Sequence, residues 1–96
     1  MKEKPVIFLV SHDRPSYLKK VVNRLVSMGQ DRIVIIDNRS TYEPLLEYYK
    51  EISGTFDIIY MEENYRARVS LSKVYSEFKD KYGLDKEIDP TYTYYI

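Results

Sequence analysis

Apolar residues are spaced along this chain in two alternating rhythms, and the alternation predicts its architecture. Pro5 to Ser11 is apolar at consecutive positions (Val6-Ile7-Phe8-Leu9-Val10), as expected of a strand covered on both faces. Pro15 fixes its own backbone and disfavours helix at Arg14, so a helix starts there. Leu18, Val21, Val22, Leu25 and Val26 then repeat with a helical period, and Gly29 supplies the left-handed residue that ends the run. Burying those side chains is worth roughly 10 kcal/mol before entropy is counted. Arg32 to Asp37 carries the β-branched run Ile33-Val34-Ile35-Ile36, too short for a helix and suited to a central strand.

The second half repeats the pattern. Ser40 or Thr41 is expected to cap the next helix: Glu43 favours Ser40, and Pro44 fits the first turn better if Thr41 is the cap. Leu45, Leu46, Tyr49 and Ile52 form its apolar side, and Ser53-Gly54-Thr55 breaks it. Ile58 to Met61 reads as a third strand and Glu62 to Tyr65 as a loop. A third helix carries Leu71, Val74, Tyr75, Phe78 and Tyr82 up to Gly83, with Lys79, Asp80 and Lys81 at its exposed end. Asp85 to Pro90 is a polar connector, and Thr91 to Ile96 has the propensity of a fourth strand. The order β-α-β-α-β-α-β with short links implies an α/β fold: a three-layer, Rossmann-like sandwich around a mostly parallel four-stranded sheet.

Composition narrows the functional classes. Fifteen basic residues balance fifteen acidic ones, and no basic stripe with interleaved aromatics occurs, which argues against nucleic acid as a partner. Cysteine is absent, so thiolate catalysis, disulfides and zinc-thiolate sites drop out, and a reducing compartment fits. No apolar stretch reaches the length of a membrane span, and the first residues lack the apolar core of a signal peptide. A cytoplasmic location is the expectation. Eleven tyrosines against three phenylalanines suit a core with wet margins, since each ring can be buried while its hydroxyl stays polar.

Two apolar strands end in polar clusters, Ser11-His12-Asp13-Arg14-Pro15 and Asp37-Asn38-Arg39-Ser40, and Asn64, Arg66 and Arg68 follow the third. Ligands of open parallel sheets bind at such carboxyl ends. A carboxylate there can accept from a base or a sugar hydroxyl, and helix-start amides with nearby arginines can hold a pyrophosphate. No Gly-x-Gly-x-x-Gly, Walker loop, Gly-x-Ser-x-Gly or His-Glu-x-x-His is present. The paired signals of an Arg-Pro helix start and an Asp-Asn-x-Ser strand end resemble the opening of the GT-A glycosyltransferases, especially the family-2-like nucleotide-diphospho-sugar transferases. Glu63-Asn64 is similar to that family's later Glu-Asn-x-Gly loop, although Arg66 stands where glycine is usual.

The resemblance implies the N-terminal half of a GT-A fold, with residues 1–96 a single truncated nucleotide-sugar-binding domain. It places Ser11 and Arg14 in the nucleotide pocket and makes Asp37 the acceptor for the base. Asn38 and Ser40 would shape that loop, and Asn64 would lie near the ribose and diphosphate; Arg66, which departs from the family pattern, is a nucleotide-binding candidate through its charge beside helix-start amides. The donor would be UDP- or GDP-linked. The family's divalent metal (manganese or magnesium) sits on an acidic motif beyond Ile96, so this chain is expected to hold no metal and no catalytic residue, and to be inactive alone. His12, the only histidine, reads as a plain loop residue, and Asp85, Glu87 and Asp89 as a solvated connector. Arg66 and Arg68 read equally well as partners offsetting Glu62 and Glu63. A response-regulator-like receiver fits less well, because it requires an acidic pair after the first strand and a late lysine. The alternative from another class is a non-catalytic interaction module that pairs with a second copy through the C-terminal edge strand, where Tyr92, Tyr94 and Ile96 share a face.

Overall fold

The computed structural model describes residues 6–84 and 92–96. The expected beginning of the first strand at Pro5, the Asp85 to Pro90 connector and Thr91 lie outside the described residues. Four strands, β1 (Ile7–Ser11), β2 (Ile33–Asp37), β3 (Asp57–Tyr60) and β4 (Thr93–Tyr95), form one sheet in the order β3-β2-β1-β4. All three pairings are parallel, with Ser11 opposite Asp37 and Leu9 opposite Tyr94. The sheet therefore grows from β1 to β3 in one direction, then reverses to place β4 on the far side of β1. That reversal makes the carboxyl ends of β1 and β4 the topological switch point, where open parallel sheets leave a crevice.

Helix placement follows from the strand order. A right-handed crossover puts its helix on one face when the sheet grows one way and on the other when it reverses. Accordingly α1 (Pro15–Ser27) and α2 (Glu43–Ile52) cover one face, packing Leu18, Val22, Leu25, Leu45 and Tyr49 on Ile7, Leu9, Ile33 and Ile35. α3 (Ala67–Glu77) covers the other, packing Leu71 and Val74 on Phe8, Val10, Val34 and Ile36. The alternation of side chains along each strand divides the core into these two layers.

Some element boundaries differ from those expected. α1 begins at Pro15 and is followed by Gly29 at φ +81°, as its sequence implies. Of its five apolar positions only Leu18, Val22 and Leu25 are buried, Val21 is half-buried and Val26 is 46 % exposed. At 3.6 residues per turn Val26 stands about 80° from Leu18, on the margin of the stripe. The contribution of the fully buried set is accordingly nearer to about 6 kcal/mol. α2 is capped at Tyr42, not at Ser40 or Thr41. Tyr48 joins its buried side, with the Lys19 ammonium 5.2 Å from its ring centre. The third helical run breaks at Phe78, and a short α4 (Lys79–Tyr82) ends at Gly83 with φ +65°. Around this break Tyr75 and Tyr82 gather on the ring of Phe8, at centroid distances of 5.4 and 6.1 Å.

Candidate functional site

Because the helices run antiparallel to parallel strands, every helix of the two layers starts at the carboxyl rim of the sheet. The loops there are stitched together by polar residues. The ladder carries on past the strands: the Asn38 N–H donates to the Ser11 carbonyl and the Met61 N–H to the Asp37 carbonyl, both at 2.8 Å.

Asp37 is the deepest of these groups, at 2 % exposure. Its Oδ2 accepts the Ser40 N–H at 2.9 Å, and its Oδ1 accepts the Tyr49 hydroxyl at 2.6 Å. A buried carboxylate is tolerable only with such partners. Burial, then the bond to Asp37, raise the Tyr49 pKa far above the ordinary phenol range, so Tyr49 remains the donor. Ser11 is fully buried beside this pair and its hydroxyl opposes that rise, although its Oγ makes no hydrogen bond of ordinary geometry.

Asn38 points to the opposite face. Its Oδ1 accepts the Tyr65 N–H at 2.8 Å and the Ser70 hydroxyl at 3.0 Å, and its Nδ2 donates to the Tyr65 carbonyl. The carboxamide thus copies a strand partner and fixes the β3–α3 loop. Arg39, at φ +55°, ties the same loop by donating from Nη1 to the Glu62 carbonyl at 2.6 Å.

The first loop is joined to the second by Asp13, at φ +50°. Its N–H donates to Ser40 Oγ, and its Oδ1 accepts the Thr41 and Tyr42 N–H groups, each at 2.9 Å. These are the amides that lead into α2, so its entry is held from 28 residues upstream, while its N-cap residue, Tyr42, makes no side-chain cap bond. His12 completes the seam, with Nδ1 2.8 Å from the Asn38 carbonyl and Nε2 3.4 Å from Asp13 Oδ2. Burial raises the Asp13 pKa, but the amides of Tyr42 and Thr41, the His12 ring and Ser40 outweigh it and hold the carboxyl below its usual value.

The residues expected to form a site therefore fall into two groups. Ser11, Asp37, Asn38 and Ser40 come together as the inner frame of the rim. Arg14, Asn64 and Arg66 are exposed at the helix starts and the third loop. Asp13, His12, Tyr49, Tyr65 and Ser70, which carry no site signal of their own in the sequence, all bond to the frame. The polar tip of Tyr49 was foreshadowed only by the tyrosine-rich composition; the remote hold of Asp13 on the entry to α2 has no local signal.

The helix starts differ in charge. α2 has Glu43 in its first turn and the Asp13 carboxylate on its amides. None of the three has a side-chain cap bond at its N-cap residue; α1 and α3 also lack an acidic residue in the first turn, and their cap positions are Arg14 and Arg66, with Arg68 following. An arginine at the positive end of a helix dipole adds charge of the same sign, so both ends favour an anion. Shallow depressions lie at this rim: one of about 560 Å³ lined by Asp13, Thr41, Tyr42, Glu43 and Pro44, another of about 440 Å³ along α3 between Arg66, Arg68 and Lys73. A more enclosed groove of about 330 Å³ lies at the amino ends of the strands, against Ile33, Asp57 and Tyr82, away from these groups. Among the described residues no three histidine, aspartate or glutamate side chains come together to hold a metal ion. No helix among them is long and apolar enough to cross a membrane.

No family model matches the chain, and neither a curated protein nor a solved structure does.

Replacing Asp13 with alanine is expected to cost about 1 kcal/mol of stability, comparable to the loss of a helix cap. Because its folded pKa is depressed, that contribution is present above the unfolded value of about 3.9 and fades as the pH falls. Urea denaturation of both proteins at pH 7 and pH 3 measures it: the gap between them should narrow at the lower pH.

Proposed function

We propose that this chain binds a nucleotide-linked sugar, UDP- or GDP-type, at the carboxyl rim of its sheet, in the manner of the donor half of a GT-A glycosyltransferase. The observation that carries the reading is the unequal charging of the helix starts beside the switch point. α1 and α3 carry arginines at their cap positions and no acidic residue in the first turn, whereas α2 has Glu43 in its first turn and the Asp13 carboxylate on the Thr41 and Tyr42 amides that lead into it. A diphosphate is the kind of group such ends favour. Arg14 and Arg66 are its expected partners, and Asn64 lies on the loop that leads into Arg66.

The roles of the inner residues follow from their burial. Asp37 and Asn38 hold the loops in place, and Ser11 fills the floor beneath them. Asp37 is buried, so it would meet a base only if the Ser40 turn opened. The described residues offer no cluster fitted to a divalent ion, so no chemical step is assigned to this chain. Adding UDP-glucose and GDP-mannose and recording amide spectra tests the proposal. Shifts at Ser11, Asp37 and Arg66 are expected, weakened at least fivefold in apparent affinity by Arg14→Ala or Arg66→Ala. Unchanged spectra with millimolar amounts of both would overturn it.

A second reading rests on β4. Among the described residues it pairs with β1 alone, and Tyr92, Tyr94 and Tyr95 are exposed along it. Such an edge is suited to pairing with another copy of the chain. Sedimentation equilibrium at 100 μM should then give a dimer mass, reduced to monomer by Tyr94→Lys. A monomer at that concentration removes this reading.

A further inference from the structure

The geometry points to His12 as a pH-operated clasp between the β1–α1 and β2–α2 loops, closed when its ring is protonated and loosened when it is neutral. Two contacts define it. Nδ1 lies 2.8 Å from the carbonyl oxygen of Asn38, which can only accept, so the proton of the neutral ring sits on Nδ1. Nε2 then carries a lone pair and faces Asp13 Oδ2 at 3.4 Å, another acceptor. In the neutral ring these two atoms repel. Protonation places a hydrogen on Nε2 and turns the same contact into an ion pair, with Nδ1–H unchanged. Both ring nitrogens then donate, one to each loop.

The charge change reaches α2 through one carboxylate. Asp13 Oδ1 accepts the Thr41 and Tyr42 amides while Oδ2 faces His12, so a proton on the ring steadies the group that holds the entry to the helix. Asp13 stays ionised throughout, because its carboxyl is held below the usual range. The other charged groups of the surrounding elements are occupied or differently placed. Asp37 faces Ser40 and Tyr49, and the Arg39 guanidinium is bonded to the Glu62 carbonyl. Arg14 is exposed at the start of α1, and β4, beyond β1, brings only Tyr94 and Tyr95 as titratable side chains. The same seam walls the depression between Asp13 and Pro44, so the rim changes firmness as the ring gains or loses its proton.

The sign is fixed by the geometry. The added contact exists at low pH and is lost as pH rises. His12 and Asp13 are both partly exposed, which limits the effect to the scale of a surface ion pair. Amide exchange rates of Thr41 and Tyr42, measured by NMR on the full chain and corrected for base catalysis, read it directly. Protection is expected to fall roughly two- to fivefold between pH 5.5 and 8 in the native protein, and to stay flat in His12→Gln. A flat profile in the native protein overturns the inference without recourse to any variant. So does a fall of equal size in His12→Gln.

Discussion

A carboxylate that has left water must be answered by donors, and the organisation of this protein's rim follows from how Asp37 is answered. Its donors come from the turn immediately after β2 and from the middle of α2, through the Ser40 amide and the Tyr49 hydroxyl. Once those bonds are required, the turn cannot relax outward and α2 cannot slide along the sheet. The next residue makes the complementary demand. Strand geometry sends Asn38 to the opposite face, where its carboxamide takes the Tyr65 backbone and the Ser70 hydroxyl. Two consecutive residues at the end of one central strand thus anchor both helical layers. The unpaired cost of either group, about 1–3 kcal/mol or more for the charge, is what makes the arrangement specific.

This frame explains why the exposed chemistry lies outside it. Asp37 and Asn38 are consumed by holding the loops together, and both are buried, with Ser11 beside them. What remains toward solvent is charged: arginines at the starts of α1 and α3, with Glu62 and Glu63 on the loop before α3 and Glu43 at the start of α2. A rim built in this way keeps its hydrogen-bonded frame buried and its charged groups at the margin.

The fold was largely readable from the chain because its signals are local. Four β-branched or aromatic runs, three apolar stripes and the glycines at 29 and 83 each act within a few residues, and the parallel order follows from short crossovers. The site was only half readable. Strand-end position flagged Asp37 and Asn38, but their partners Tyr49, Tyr65 and Ser70 lie 12 or more positions away and look like ordinary core or loop residues. The start of α2 is the clearest case: Ser40 and Thr41 each meet one local rule for a cap, yet the cap position is Tyr42 and the amides leading into the helix are held by Asp13, a tertiary contact. Val26 failed for a simpler reason, since a stripe read from spacing has no sharp edge.

The central claim is that the Asp37–Tyr49 bond acts as a unit that organises the rim. A double-mutant cycle with Tyr49→Phe, Asp37→Asn and the pair, followed by chemical denaturation, measures it most directly. The account predicts that each single change costs about 1–3 kcal/mol. It also predicts that the double variant is little worse than the poorer single one, giving a coupling above about 1 kcal/mol. Costs that simply add would contradict it, because the two groups would then be contributing independently.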